Sequence, residues 1–160
     1  MNVDCGEDKS DSDVEYHGLT ALGPYIRRQT EWLAREIQKP AFQQARFRVC
    51  LLHIPPASTP NTKFVRPRWL WENVVPLLNR GKVDLLICGH THSDAVQQAG
   101  VDGLDCPLII GRTQTVIRCD AALDNLQIAR TTLAGTVLPA CPQMNARNSV
   151  PGKNPLEKQN

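Results

Sequence analysis

The sequence predicts an α/β fold in which a mixed sheet is flanked by helices. Two short apolar runs carry that prediction, residues 47–56 (FRVCLLHIPP) and 83–92 (VDLLICGHTH), together with helix-spaced apolar positions before and between them. A short apolar run bounded by Gly or Pro reads as a buried strand, and two strands separated by a helical segment run parallel. Pro55 and Pro56 close the first run because proline cannot continue a central strand, and Gly89 closes the second, letting the backbone bend. Parallel strands bring their carboxyl ends to one rim, where open α/β sheets bind ligands. His53, His90 and His92 all fall at that rim.

The other elements follow in order. Residues 1–18 are expected to form an exposed acidic loop, because Asp4, Glu7, Asp8, Asp11, Asp13 and Glu15 crowd it and such runs are commonly solvated. Over 19–38, Leu22, Ile26, Trp32, Leu33 and Ile37 recur at roughly helical spacing until Pro40 stops the pattern, giving a helix that covers one face of the sheet. Prolines and polar residues over 55–68 make a loop beside His53, and 69–80 reads as a second helix ended by Gly81. Three β-like runs, 107–110, 115–119 and 126–132, resemble an antiparallel meander that extends the sheet. From 139 to 160 little periodicity remains, and the stretch reads as a disordered tail.

Composition narrows the partners. The chain has 160 residues, which sets a ceiling of one domain. A net charge of +2 with scattered basic residues gives no field that favours nucleic acid, so none is expected as a partner. Cysteines at 5, 50, 88, 106, 119 and 141 form no CxxC pair; Cys50 and Cys88 lie in the apolar runs and read as small buried hydrophobes, for which a reduced state suffices. The N-terminus has neither a basic n-region nor an apolar h-region, and no apolar run is long enough to span a bilayer. The chain as written is therefore expected to be cytoplasmic and without a membrane partner.

The histidines point to metal chemistry. Neutral imidazole is the commonest metal ligand near neutral pH, and a second imidazole nearby both disfavours protonation and gains from a shared cation. Each residue also has a structural reading: His53 as a packing or hydrogen-bonding group, His17 as a surface histidine, and Asp94 as either an imidazole-orienting carboxylate or a turn residue. Lys63, Arg66 and Arg68, in the loop after His53, suit either an anionic phosphoester or a solvated cationic loop.

GHTH at 89–92 with its strand, the His53 strand with its HIPP ending, and the head segment DCGEDKSDSDVEYHGL at 4–19 together resemble the calcineurin-like metallophosphoesterase superfamily, in its bacterial branch related to purple acid phosphatases. The resemblance covers most of 4–138 and implies a four-layer α/β/β/α sandwich around two divalent ions, Mn, Fe or Zn. It implies that His53 and His90 share one ion while His92 holds the other, and that the pair, about 3.5–4 Å apart, activates a hydroxide against a phosphoester substrate. The family's DxH, GD and GNH[DE] motifs are absent from this sequence. Residues 19–138 therefore resemble the C-terminal half of such a domain, in which at most one ion binds weakly and an exposed sheet face favours self-association. Complete relatives with this head segment are often exported. The alternatives are a non-catalytic metal-binding module and a remnant that does not fold alone.

Overall fold

Alternation along the central strands divides the core in two. The computed structural model describes residues 1–61, 63–139 and 141–146. Strand β1 (Asn2–Val3), β2 (Val49–Leu52), β3 (Leu85–Cys88), β4 (Ala95–Gln97) and β5 (Leu108–Ile110) form one sheet in the order β1-β2-β3-β5-β4. All but β4 run parallel, and the register aligns Cys50 with Leu86 and Leu86 with Leu108. Because strand side chains alternate faces, Cys50, Leu52, Leu86, Cys88 and Leu108 point to one side, and Val49, Leu85, Ile87 and Ile109 to the other.

Helices cover the first face. Helix α1 (Leu22–Glu36) crosses from β1 to β2, with a short turn α2 (Pro40–Gln43) after it, and α3 (Arg66–Asn73) and α4 (Val75–Arg80) cross from β2 to β3. Leu33, Ile37, Leu70, Val74 and Leu78 pack onto the sheet, each large side chain contributing about 1.5–3 kcal/mol of burial. Sequence spacing predicts one helix over 69–80, but the chain makes two. Pro76 lacks the N–H that would bond back to Glu72, and its ring crowds that carbonyl, so the helix breaks at Val74.

The second face is covered by another sheet. Strands β6 (Thr115–Ala121), β7 (Asn125–Thr132) and β8 (Met144–Asn145) pair antiparallel, and Ile117, Leu126 and Ile128 pack against Leu85 and Ile109. This corrects the expected single meander: the 107–110 run lies parallel to β3 inside the first sheet, while the later two runs form a separate sheet instead of extending it. The result is a mixed α/β structure. Among the described residues there are three layers, helices, sheet and sheet, with no helix over the outer face of the second sheet.

Both ends of the chain differ from expectation. The acidic head is not only a loop: β1 joins the sheet edge and buries Val3, because a hydrogen-bonded register with Leu51 and Leu52 is open to it. Asp11 accepts from the N–H groups of Leu22 and Gly23 at 3.0 and 2.8 Å, so part of the acidic run caps α1 from a distance. At the other end, β8 and the buried Ala146 belong to the second sheet, anchored by Ala146 N–H donating to Asp124 O at 2.6 Å. The rest of the expected tail, 147–160, lies outside the described residues.

The cysteines are unbridged, and Cys5, Cys50, Cys88 and Cys106 are buried. Burial pushes the Cys50 and Cys106 thiols up to about 12 and Cys88 up as well, so these groups stay neutral and pack as small hydrophobes. Among the described residues, no helix is long and apolar enough to cross a membrane.

Candidate functional site

Three strand ends converge at the carboxyl rim. β2 delivers His53, β3 delivers Gly89 and His90, and β1 releases the chain into residues 4–8. Gly89 N–H donates to the His53 carbonyl at 2.9 Å, and Gly111 N–H to that of Cys88 at 3.0 Å, carrying the parallel ladder one step past the strands. The His53 and His90 rings meet edge to face, 5.2 Å between centroids. A Cβ built on Gly89 would lie 3.5 Å from His53 Nδ1, ordinary contact distance, so the glycine keeps that space open without being forced by backbone angle.

The bend falls on the histidines themselves. His90 has φ of 68° and His92 of 56°, while Thr91 N–H donates to the Gly89 carbonyl at 2.8 Å to close a three-residue turn around His90. Left-handed backbone costs a side-chain-bearing residue about 1–2 kcal/mol, and such strain clusters at functional sites. His92 is solvent-exposed beside the Thr91–Ser93 hydroxyl pair, 3.0 Å apart.

Asp8 joins this rim, and sequence spacing gave no sign of it. Its Oδ2 lies 3.3 Å from His90 Nε2. The approach is built by Arg66, whose backbone N–H donates to Asp8 O at 3.0 Å and whose Nε donates to Glu7 O at 2.9 Å, and by Ile54 N–H, which donates to Cys5 Sγ at 3.2 Å. Arg66 is itself buried, and desolvation lowers its pKa from the usual arginine range.

The other candidates have structural partners. Asp94 does not contact an imidazole; it pairs with Arg112 at 3.1 Å and the buried Arg130 at 3.8 Å, and accepts from the Thr115 hydroxyl at 3.3 Å, tying the β4 entry to the second sheet. Arg68 pairs with Glu72 and lies over the Trp71 ring, and Lys63 lies over Phe64. Beside His90 a cavity of about 570 Å³ opens between the loop after β2 and the β4–β5 edge.

Among the described residues, no group of three or more His, Cys, Asp or Glu side chains stands close enough to enclose a metal ion. The site offers a pair of imidazoles with one carboxylate beside it, an open arrangement.

No family model matches the sequence, and no curated protein matches it. The solved structure of GAP50, the anchor in the inner membrane complex of Plasmodium, superposes with a TM-score of 0.54 at 18% identity over 81% of this chain. That match spans 46% of the Plasmodium chain, so this chain corresponds to about half of it. A Streptococcus pneumoniae protein described as a predicted phosphoesterase gives a TM-score of 0.36 at 9% identity, over 71% of this chain and 90% of its own. The first of these likenesses shows a shared fold.

Proposed function

We propose that this chain is the histidine-bearing part of a metal-dependent phosphoester hydrolase of the calcineurin-like kind. The edge-to-face contact of His53 and His90 at the carboxyl rim is the observation that carries the reading. In it, His53 and His90 share one divalent ion, His92 is offered to a neighbouring ion, and the carboxylate and asparagine ligands of the resembled family come from outside these residues. By donor chemistry, two imidazoles and an adjacent carboxylate suit a borderline ion such as Mn, Fe or Zn, and with no enclosing cluster of three ligating side chains among the described residues this chain alone would hold at most one ion weakly. When bound, such an ion acts as a Lewis acid and lowers the pKa of its water. The protein's own part is to fix the ring orientations on strand ends and hold a carboxylate against one of them.

The paired imidazoles at the rim also suit a second reading, a metal-binding module without catalysis. Calorimetric titration with Zn²⁺ or Mn²⁺ of the wild type and of His90→Ala tests the site common to both readings. The expected result is measurable binding that the substitution weakens; equal affinity in the two removes the site. Catalysis is then decided with a longer chain that supplies the absent motifs.

A further inference from the structure

We infer that the cavity beside His90 receives an uncharged, aryl-type organic group and discriminates against groups that bring a second negative charge. The inference deepens the phosphoester reading, since His90 lines the cavity and would stand between the bound phosphate and the rest of the ester. About 570 Å³ is the size of a small-molecule site, and its walls are largely apolar, with Ile54, Pro55, Pro56 and Phe64 from one loop and Leu108 and Ile110 from β5, beside uncharged polar groups such as Asn61 and Gln97. Two adjacent prolines fix their own backbone, so the wall beside His53 is preformed and little ordering is needed on binding.

Charge decides the class of ligand. Asp102 lines the cavity, and among the described residues no lysine or arginine does. It is held there firmly: its Oδ2 accepts from Ser58 N–H at 3.0 Å and its carbonyl from Trp71 Nε1–H at 2.8 Å. The turn that presents it bends through three left-handed residues, Gly100, Asp102 and Gly103. The neighbouring cations are turned to other partners: Arg66, in α3, donates to the Glu7 carbonyl; Arg68, in α3, pairs with Glu72 and donates to the Ser58 carbonyl; and Lys63 lies over the Phe64 ring. A phosphate or sulfonate on the organic group would thus meet a carboxylate in the cavity lining, with Arg68 already committed to Glu72 and the Ser58 carbonyl, whereas a neutral aromatic ring meets proline, leucine, isoleucine and phenylalanine surface.

The test uses the full chain without metal and follows the methyl signals of Ile54, Leu108 and Ile110 by NMR during titration with 1-naphthol and with 1-naphthol-4-sulfonate. Saturable shifts at these methyls with 1-naphthol are expected, with the sulfonate binding at least about tenfold more weakly. Phe64→Ala should weaken 1-naphthol, and Asp102→Asn, which keeps an oxygen for Ser58 N–H, should narrow the gap between the two ligands. Absent or unsaturable shifts, or equal affinity for both ligands in the wild type, would overturn the inference; that comparison needs no variant to fold. Neither ligand carries a phosphate, so equal metal affinity of the wild type and His90→Ala, with naphthol binding intact, strikes the phosphoester reading alone.

Discussion

Asp8 Oδ2 lies 3.3 Å from His90 Nε2, which places a carboxylate against an imidazole at the end of the central strand. Metal-bound histidines commonly rely on such a partner to fix the ring, and losing it typically costs about 10–100-fold in affinity. Asp8→Ala should therefore weaken Zn²⁺ or Mn²⁺ binding by that factor, measured by calorimetry beside the wild type. Unchanged affinity would mean that Asp8 plays no part in the site.

Asp11 offers a test of the head segment's structural role. Its carboxylate accepts from two backbone N–H groups at the start of α1, which has no capping side chain of its own at Ala21. Removing a helix cap costs about 0.5–2 kcal/mol, and here two donors are left without it. Asp11→Ala should lower the unfolding free energy, read from a shifted urea midpoint, by the upper part of that range, while Asp13→Ala, which releases only a local turn, should lower it less.

These two aspartates mark where sequence reasoning stops. The strand ends at His53 and Gly89 and the core of α1 were legible because each is set by a local pattern: an apolar run, a stop residue, a helical period. Asp8 and Asp11 act across the fold, through a two-residue edge strand too short to carry a period and through Arg66, whose burial follows only from tertiary packing. The three-residue β4 was equally silent. So was the division into two sheets, because alternation gives the face of a strand and not the partner that covers it. The break before α4 was written in Pro76, although the surrounding helical spacing masked it. The sequence placed His90 and His92 together, but only the backbone shows that both carry left-handed strain.

That strain predicts an asymmetry at His92. Glycine there removes a left-handed penalty of about 1–2 kcal/mol but adds about 0.5–1 kcal/mol of unfolded-state entropy, so His92→Gly should match the wild type or exceed it by up to about 1.5 kcal/mol. His92→Val forces a β-branched side chain into the same angles and should fall about 1–2 kcal/mol below the glycine variant in chemical denaturation. Equal stability of the two would show that the loop relaxes on substitution.

Leu51 predicts association. It sits on the sheet face that the second sheet covers only in part and is 45% exposed, next to an edge strand of two residues. Apolar surface beside an unpaired strand edge favours contact with another chain. The chain should self-associate or bind a hydrophobic dye, and Leu51→Lys should reduce either signal. A monodisperse monomer that binds no dye would contradict this.

The last prediction concerns turnover. Under the proposed function, the His53–His90 pair and Asp8 would capture at most one ion weakly, whereas two-metal phosphoester chemistry would need a bridging carboxylate to hold two dications and a polar group near the phosphate. Losing one group that positions or stabilises transition-state charge costs about two to four orders of magnitude, and several are lacking together. The 160-residue chain should hydrolyse p-nitrophenyl phosphate and its bis ester no faster than buffer containing free Mn²⁺. A longer chain that adds DxH, GDxxD and GNH[DE] motifs should gain activity, and His90→Ala within it should remove that activity. Turnover by the shorter chain alone, abolished by His90→Ala, would instead mean that Asp8 and its neighbours supply the missing carboxylate function.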